Sequence, residues 1–162
     1  MKTVQAILPK VYTTDELIRE TARWRLKNKT IVFTNGVFDI LHKGHIASLT
    51  QAASLGHILI VGVNADESVK KLKGPSRPVN DEQSRCLLLA SLVMVDAVVL
   101  FEEETPLNLI KAILPDVLVK GGDYTVDQIA GAREVIAHGG KVILAEMIEG
   151  VSTTKIIERM KG

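Results

Sequence analysis

The chain has 162 residues, a formal net charge of +1 and 46% hydrophobic side chains, enough for one domain with a full core and too few for two ordinary ones. Its evenly mixed charges exclude a nucleic-acid glove or a membrane-surface patch, so any bound polyanion must be held by a local site. A single cysteine, no signal-like opening and no run near the roughly 20 apolar residues of a membrane helix make a cytoplasmic protein the expectation.

The pattern alternates helix and strand with little filler. Thr13-Thr14-Asp15-Glu16 has capping-box spacing and predicts a helix to about Lys27. Ile31 to Asn35 reads as a buried strand, followed by the loop Gly36–His45 and a helix from Gly44 to Leu55 stopped by Gly56. His57–Val63 is the second strand, and a short helix over Asp66–Leu72 leads into the breaker-rich Lys73-Gly74-Pro75-Ser76-Arg77-Pro78. Asn80 is expected to cap the next helix, Asp96–Phe101 to be strand three, Pro106 to open a helix to Leu114, and Asp116–Lys120 to be strand four. A single helix over Val126–His138, strand five at Lys141–Ala145 and a last helix from Thr153 complete the pattern.

Five buried strands separated by helices predict an α/β fold, a Rossmann-like, doubly wound, five-stranded parallel sheet, because parallel neighbours require crossover helices. Ligands bind such sheets at the carboxyl ends of the strands. The loops expected to converge there are Gly36–His45, Asn64–Asp66, Glu102–Thr105, Gly121–Thr125 and Met147–Thr154. The Glu102-Glu103-Glu104 run is read as solvated.

The most informative element is His42-Lys43-Gly44-His45, at the start of a helix. Two imidazoles beside free backbone N–H groups and a positive dipole end suit a nucleotide polyphosphate whose α-phosphoryl group is attacked. The alternative is a metal pair or an incidental cluster, but zinc needs further ligands, and Cys86 lies in an apolar helical run. Lys120-Gly121-Gly122-Asp123-Tyr124 offers a phosphate cation, close backbone approach and an acceptor for ribose or base, or else a tight turn with exposed charges. Ser152-Thr153-Thr154-Lys155 is either an ordinary N-cap or a second phosphate cradle. Lys73 and Arg77 belong to a solvated connection or to a flap that delivers them to an acceptor phosphate. Arg85 is a third cation there or a helix-surface charge, and Asp39 orients a histidine, binds substrate or magnesium, or caps the turn. Trp24 and Cys86 are assigned to packing.

Thr34-Asn35-Gly36-Val37-Phe38-Asp39-Ile40-Leu41-His42-Lys43-Gly44-His45 resembles the His-x-Gly-His signature of the cytidylyltransferase-like nucleotidyltransferases, and Ser152-Thr153-Thr154-Lys155-Ile156-Ile157 resembles their C-terminal motif. With Val61-Gly62-Val63-Asn64-Ala65-Asp66, Leu72-Lys73-Gly74, Arg77-Pro78-Val79-Asn80 and Asp116 to Tyr124, residues 30 to 160 look like the adenylyltransferase half of bacterial heptose kinase/adenylyltransferases. Val37 stands where that branch commonly has cysteine, and Lys43 where it has proline.

The resemblance implies an adenylyltransferase joining ATP to D-glycero-β-D-manno-heptose 1-phosphate, with release of pyrophosphate, for lipopolysaccharide core precursors. His42, His45 and Lys155 would be catalytic. Val37, Phe38, Gly44, Asn64, Lys120, Gly121, Asp123, Ser152, Thr153 and Thr154 would hold the nucleotide, and Asp39, Lys73, Arg77 and Arg85 the acceptor. Magnesium would arrive with ATP, with no fixed protein metal site. Residues 1–29 are expected to be a helical extension of a nucleotidyltransferase domain at 30–162, the sugar 1-phosphate to come from a separate kinase, and the protein to be a homo-oligomer, dimer or tetramer. Two rivals remain: a cytidylyltransferase acting on glycerol phosphate or another alcohol phosphate, and a non-catalytic nucleotide-binding module.

Overall fold

The structure, a computed structural model, describes residues 4–122, 124–146 and 152–161. Its centre is a parallel sheet whose strands are β1 (Val11–Tyr12), β2 (Ile31–Gly36), β3 (Ile58–Asn64), β4 (Ala97–Phe101), β5 (Val117–Gly121) and β6 (Lys141–Ala145), in the order β1-β4-β3-β2-β5-β6. Alternate residues of each strand point to opposite faces, and both faces are apolar. Val32, Leu59, Val61 and Val98 pack beneath α2 (Lys43–Ala53) and α4 (Glu82–Ala90), through Leu49, Ala52, Cys86 and Leu89. Ile31, Phe33, Ile60 and Val99 meet Leu17 of α1 (Thr14–Leu26), Ile110 of α5 (Leu107–Ile113) and Val135 of α6 (Ala132–Ala137) on the other face. Each fully buried Leu or Ile contributes roughly 1.5–3 kcal/mol, so this double layer is the main support of the sheet.

Aspartates set where two strands begin. The Ile31 N–H donates to Asp116 Oδ2 at 2.7 Å and the Leu59 N–H to Asp96 Oδ2 at 2.8 Å, satisfying donors beyond the regular ladder.

The sheet has six strands, one more than the pattern predicts. The extra one, β1, is two residues long, too short for alternation to register, and it pairs in parallel with β4. The predicted helix over 126–138 is divided into a 3-10 turn at Val126–Gln128 and α6. Gly131 breaks it at φ 84°, where a Cβ would lie 2.6 Å from Ile110 Cγ2. The cap of α4 is Asp81, whose Oδ1 accepts from the Ser84 N–H at 2.7 Å, while Asn80 is engaged elsewhere. The capping box of Thr13 and Glu16 at α1 is present as predicted.

Two further α-helices are α3 (Asp66–Lys73), after β3, and α7 (Thr153–Lys161), after β6, and short 3-10 turns at Val4–Ala6 and Leu8–Lys10 precede β1. The chain reverses its sheet order at β2, which has β3 on one side and β5 on the other. Such a switch point opens a crevice above the carboxyl ends of the strands.

Candidate active site

That crevice holds a cavity of about 590 Å³, in the size range of small-molecule sites. Its floor is the end of β2 and the start of α2, where the two histidines stack with ring centroids 3.8 Å apart and 23° between planes. Gly44 lies between them in sequence, and a Cβ there would stand 3.0 Å from His42 Nδ1, so a side chain would press on the stack. Phe38 takes a left-handed φ of 51°, which costs a non-glycine residue roughly 1–2 kcal/mol. Its buried ring meets His45 edge-on at 5.3 Å, wedging the imidazole from behind.

Both Nδ1 atoms are buried without a hydrogen-bond partner among the described residues. Burial lowers the His42 pKa. Burial, then the neighbouring His42, lowers that of His45 to about 4. The pair therefore rests neutral at pH 7, with unpartnered ring nitrogens beside the free N–H groups of a helix that has no side-chain cap. Both rings line the cavity, so an anionic oxygen bound there would meet the N–H groups at the start of α2 beside them.

Two banks flank the floor. On the β3–β4 side stand Asn64, Lys73, Arg77 and Glu104; on the β5–β6 side stand Lys120, Gly121, Tyr124, Glu146 and Ser152 to Thr154. Lys120 is partly buried, which lowers its pKa, and its Nζ lies 3.4 Å from Asn35 Oδ1 and 5.7 Å from the Tyr124 ring centroid. Thr153 Oγ1 donates to the Ile40 carbonyl at 3.3 Å, tying the start of α7 to the histidine loop, and Ser152 Oγ accepts from the Lys155 N–H at 3.2 Å.

A family model described as cytidylyltransferase-like matches residues 33–159, a span containing the floor and both banks. The chain belongs to the cytidylyltransferase-like family. It is accordingly a nucleotidyltransferase. Bifunctional protein HldE of Koribacter versatilis (strain Ellin345) is 54% identical over 150 residues, 93% of this chain and 31% of that protein. HldE of Acidiphilium cryptum (strain JF-5) is 51% identical over 162 residues, 100% of this chain and 33% of that protein. The chain thus spans about a third of the length of the curated relatives it matches. The crystal structure of the lipopolysaccharide core biosynthesis protein from Thermoplasma volcanium GSS1 superimposes with a TM-score of 0.59 at 31% identity, covering 74% of this chain and 97% of that one.

Within this cytidylyltransferase-like fold, most of the predicted residues meet. His42, His45, Val37, Phe38 and Gly44 line the floor, and Asn64, Lys73, Arg77, Lys120, Gly121 and Ser152 to Thr154 line the banks. Asp123 and the 147–150 segment lie outside the described residues. Lys155 is exposed on α7 and does not line the cavity.

Two readings are corrected. Arg85 is neither an acceptor ligand nor a surface charge: its side chain is fully buried. Nε donates to the Asn80 carbonyl at 3.0 Å, Nη1 to the Val37 carbonyl at 2.7 Å and Nη2 to Asp66 Oδ1 at 2.7 Å. Each of its three nitrogens donates to the protein. Asp39 borders the cavity, yet its carboxylate is 1% exposed and accepts from Arg77 Nε at 2.6 Å and from the Val79 and Asn80 N–H groups at 2.8 and 2.9 Å. Burial raises its pKa, but the bonds from Asn80, Val79 and Arg77 outweigh it and hold the carboxyl below its ordinary value. Such a group is a poor ligand for substrate or magnesium.

Several lining residues escaped the sequence reading. Glu104 faces the cavity although the acidic run suggests plain solvation. The signal was the sheet-edge rule itself, which places that loop beside the others. Glu103 takes the structural part: its carboxylate accepts from Asn108 Nδ2 and its carbonyl from Ser68 Oγ. Ser48 and Glu146 carry no motif that marks them.

Among the described residues no group of three or more His, Cys, Asp or Glu side chains is placed to hold a metal ion. No helix there is long and apolar enough to cross a membrane.

Proposed function

We propose that the chain transfers the adenylyl group of ATP to D-glycero-β-D-manno-heptose 1-phosphate, releasing pyrophosphate and ADP-heptose, in the cytoplasm. The observation that carries this reading is the neutral, stacked histidine pair at the uncapped start of α2, set between two cation-bearing banks. Identity above 50% to the aligned third of bifunctional HldE proteins supports the acceptor and the base. The likeness to a lipopolysaccharide core biosynthesis protein agrees with the product's use.

The triphosphate lies across the floor, its α- and β-phosphoryl oxygens against His42, His45 and the α2 N–H groups. An oxygen of the sugar phosphate, held by Lys73 and Arg77, attacks the α-phosphorus in line. Pyrophosphate leaves on the far side toward Ser152, Thr153, Thr154 and the adjoining Lys155. Charge gathers on the equatorial oxygens in the transition state, and imidazole N–H donors already aimed there stabilise it without reorganisation. Lys120 adds a desolvated cation at the join of the banks. Its cost of ionisation in a buried setting is offset once phosphate oxygens arrive. Magnesium, carried on the triphosphate and not by a protein site, would neutralise part of its charge.

Glu104 is the open carboxylate on the acceptor bank, suited to sugar hydroxyls, and the Tyr124 ring and the backbone at Gly121 form part of the base wall. The phosphate groups do not distinguish bases, so the base is the sharpest test. Each polar group left unpaired by a wrong base costs ~1–3 kcal/mol, so two give a preference of about 10²-fold. Pyrophosphate release with heptose 1-phosphate should favour ATP over CTP in kcat/KM by that order. Parity or a CTP preference assigns the chain to cytidylyl transfer. Nucleotide binding without pyrophosphate release from any sugar or alcohol phosphate makes it a binding module.

A further inference from the structure

The segment 74–80 is a loop that carries Arg77 to the acceptor bank, beginning just after Lys73 at the end of α3. Loops bearing exposed cations between glycine and prolines are expected to be loose. This one is fastened from below. Arg85 bridges its last residue to the histidine loop, through the Asn80 and Val37 carbonyls, and the clasp that reaches Arg77 itself is Asp39, three residues before His42. The carboxylate of Asp39 takes the Nε edge of Arg77 together with two successive backbone N–H groups, Val79 and Asn80, and the Asp39 carbonyl accepts from Asn80 Nδ2 at 2.6 Å.

The consequence for Arg77 is directional. A guanidinium bonded through Nε has its plane and reach set by the carboxylate, and it keeps Nη1 and Nη2 for another oxyanion. Neither Nη atom makes a hydrogen bond among the described residues, and the side chain is 13% exposed where it borders the cavity. Asp39 is therefore placed to decide where the free end of Arg77 points while touching no substrate itself.

We propose that Asp39 is a positioning residue that locks the 74–80 flap onto the histidine loop and aims the Arg77 fork at the acceptor phosphate. The acceptor's affinity then depends on a carboxylate that belongs to the nucleotide-binding loop. This rests on the assignment of Lys73 and Arg77 to the acceptor, and the two claims fail separately.

The test uses Asp39→Asn and Arg77→Lys in the full chain, with melting curves confirming that each folds. Asparagine keeps the size but loses the charge and one acceptor. Amide hydrogen exchange at Val79 and Asn80, measured without substrate, should quicken about tenfold in Asp39→Asn, and the KM for heptose 1-phosphate should rise about tenfold with the KM for ATP moved by less than about twofold. Lysine keeps the charge at position 77 but has no Nε edge to fix it. Arg77→Lys should raise the acceptor KM by a similar factor and leave the exchange of Val79 and Asn80 unchanged. Unaltered exchange in a folded Asp39→Asn, or equal rises in both KM values, overturns the proposal. If Asp39→Asn does not fold, an acceptor KM in Arg77→Lys within about twofold of the parent overturns it. Wild-type turnover reads the identity of the acceptor alone. Should heptose 1-phosphate not be turned over, affinity for inorganic phosphate in the presence of a non-hydrolysable ATP analogue replaces the acceptor KM.

Discussion

Removing Arg85 tests whether a cation in the phosphate-binding half of the molecule serves the ligand or the fold. Arg85→Ala leaves the Val37 carbonyl, the Asn80 carbonyl and Asp66 Oδ1 without their donor. Each carbonyl left unpaired in the interior costs ~1–3 kcal/mol. Asp66 is 27% exposed and regains water, so its share is discounted, while the vacated guanidinium volume adds a cavity term. The sum is about 4 kcal/mol, within the ~3–5 kcal/mol typical of breaking one side of a buried ion pair. For a chain of this length that lowers Tm by ~8–16 °C. Thermal melting by circular dichroism gives the midpoint, and urea unfolding at unchanged m gives the free energy. Arg85→Lys, which can satisfy one acceptor of the three, should fall between the parent and the alanine variant. A midpoint within about 2 °C of the parent, together with a tenfold weaker acceptor, would show that the guanidinium abandons its buried acceptors for substrate.

Other outcomes follow from the same geometry. His42→Ala or His45→Ala should lower turnover by ~10²–10³-fold with Tm shifted by only a few degrees, measured by pyrophosphate release and melting. Because His45 is held to about 4 in the folded chain against 6.5 unfolded, the unfolded state binds the extra proton between those values. Stability from this residue is then full above pH 6.5 and is lost as pH falls toward 4; His45→Gln should flatten that part of the stability–pH curve. Asp39 acts in the same sense at lower pH, its contribution being present above the ordinary carboxylate range and lost as pH falls through its lowered pKa, so Asp39→Asn should weaken acid denaturation below that range. Gly131→Ala should destabilise by about 2–3 kcal/mol, from left-handed strain and contact with Ile110, read by urea unfolding.

The strands are legible because this sheet is covered on both faces. Runs such as Ile58 to Val63 carry no polar interruption and admit no other reading. Short elements are less readable. Val11 and Tyr12 become a strand only because β4 offers an edge, and Gly131 breaks a helix because Ile110, twenty-one residues earlier, leaves no space for a Cβ. At the site, the histidines and the hydroxyl run are visible as local spacing, and the sheet rule brings their loops together. What spacing cannot convey is how each charge is already spent. Arg85 reaches acceptors up to 48 residues away and Asp39 donors up to 41 away, so both resemble free ligands in the sequence and serve as braces in the fold. Glu104 errs the other way, since its neighbour Glu103 takes the structural bonds and leaves it open to the cleft.

The reversal of sheet order at β2 makes chain order a map of the ligand. Everything on one bank is encoded between Ile58 and Glu104, and everything described on the other between Val117 and Thr154, with the histidine loop preceding both. The later segment reaches the central loop through Lys120 at Asn35 and Thr153 at Ile40, and among the described residues it takes no hydrogen bond from the flap. Inheritance can therefore act on the two segments independently. A lineage can rewrite the earlier stretch, and with it the molecule being activated, while the stretch that grips the nucleotide passes on unaltered.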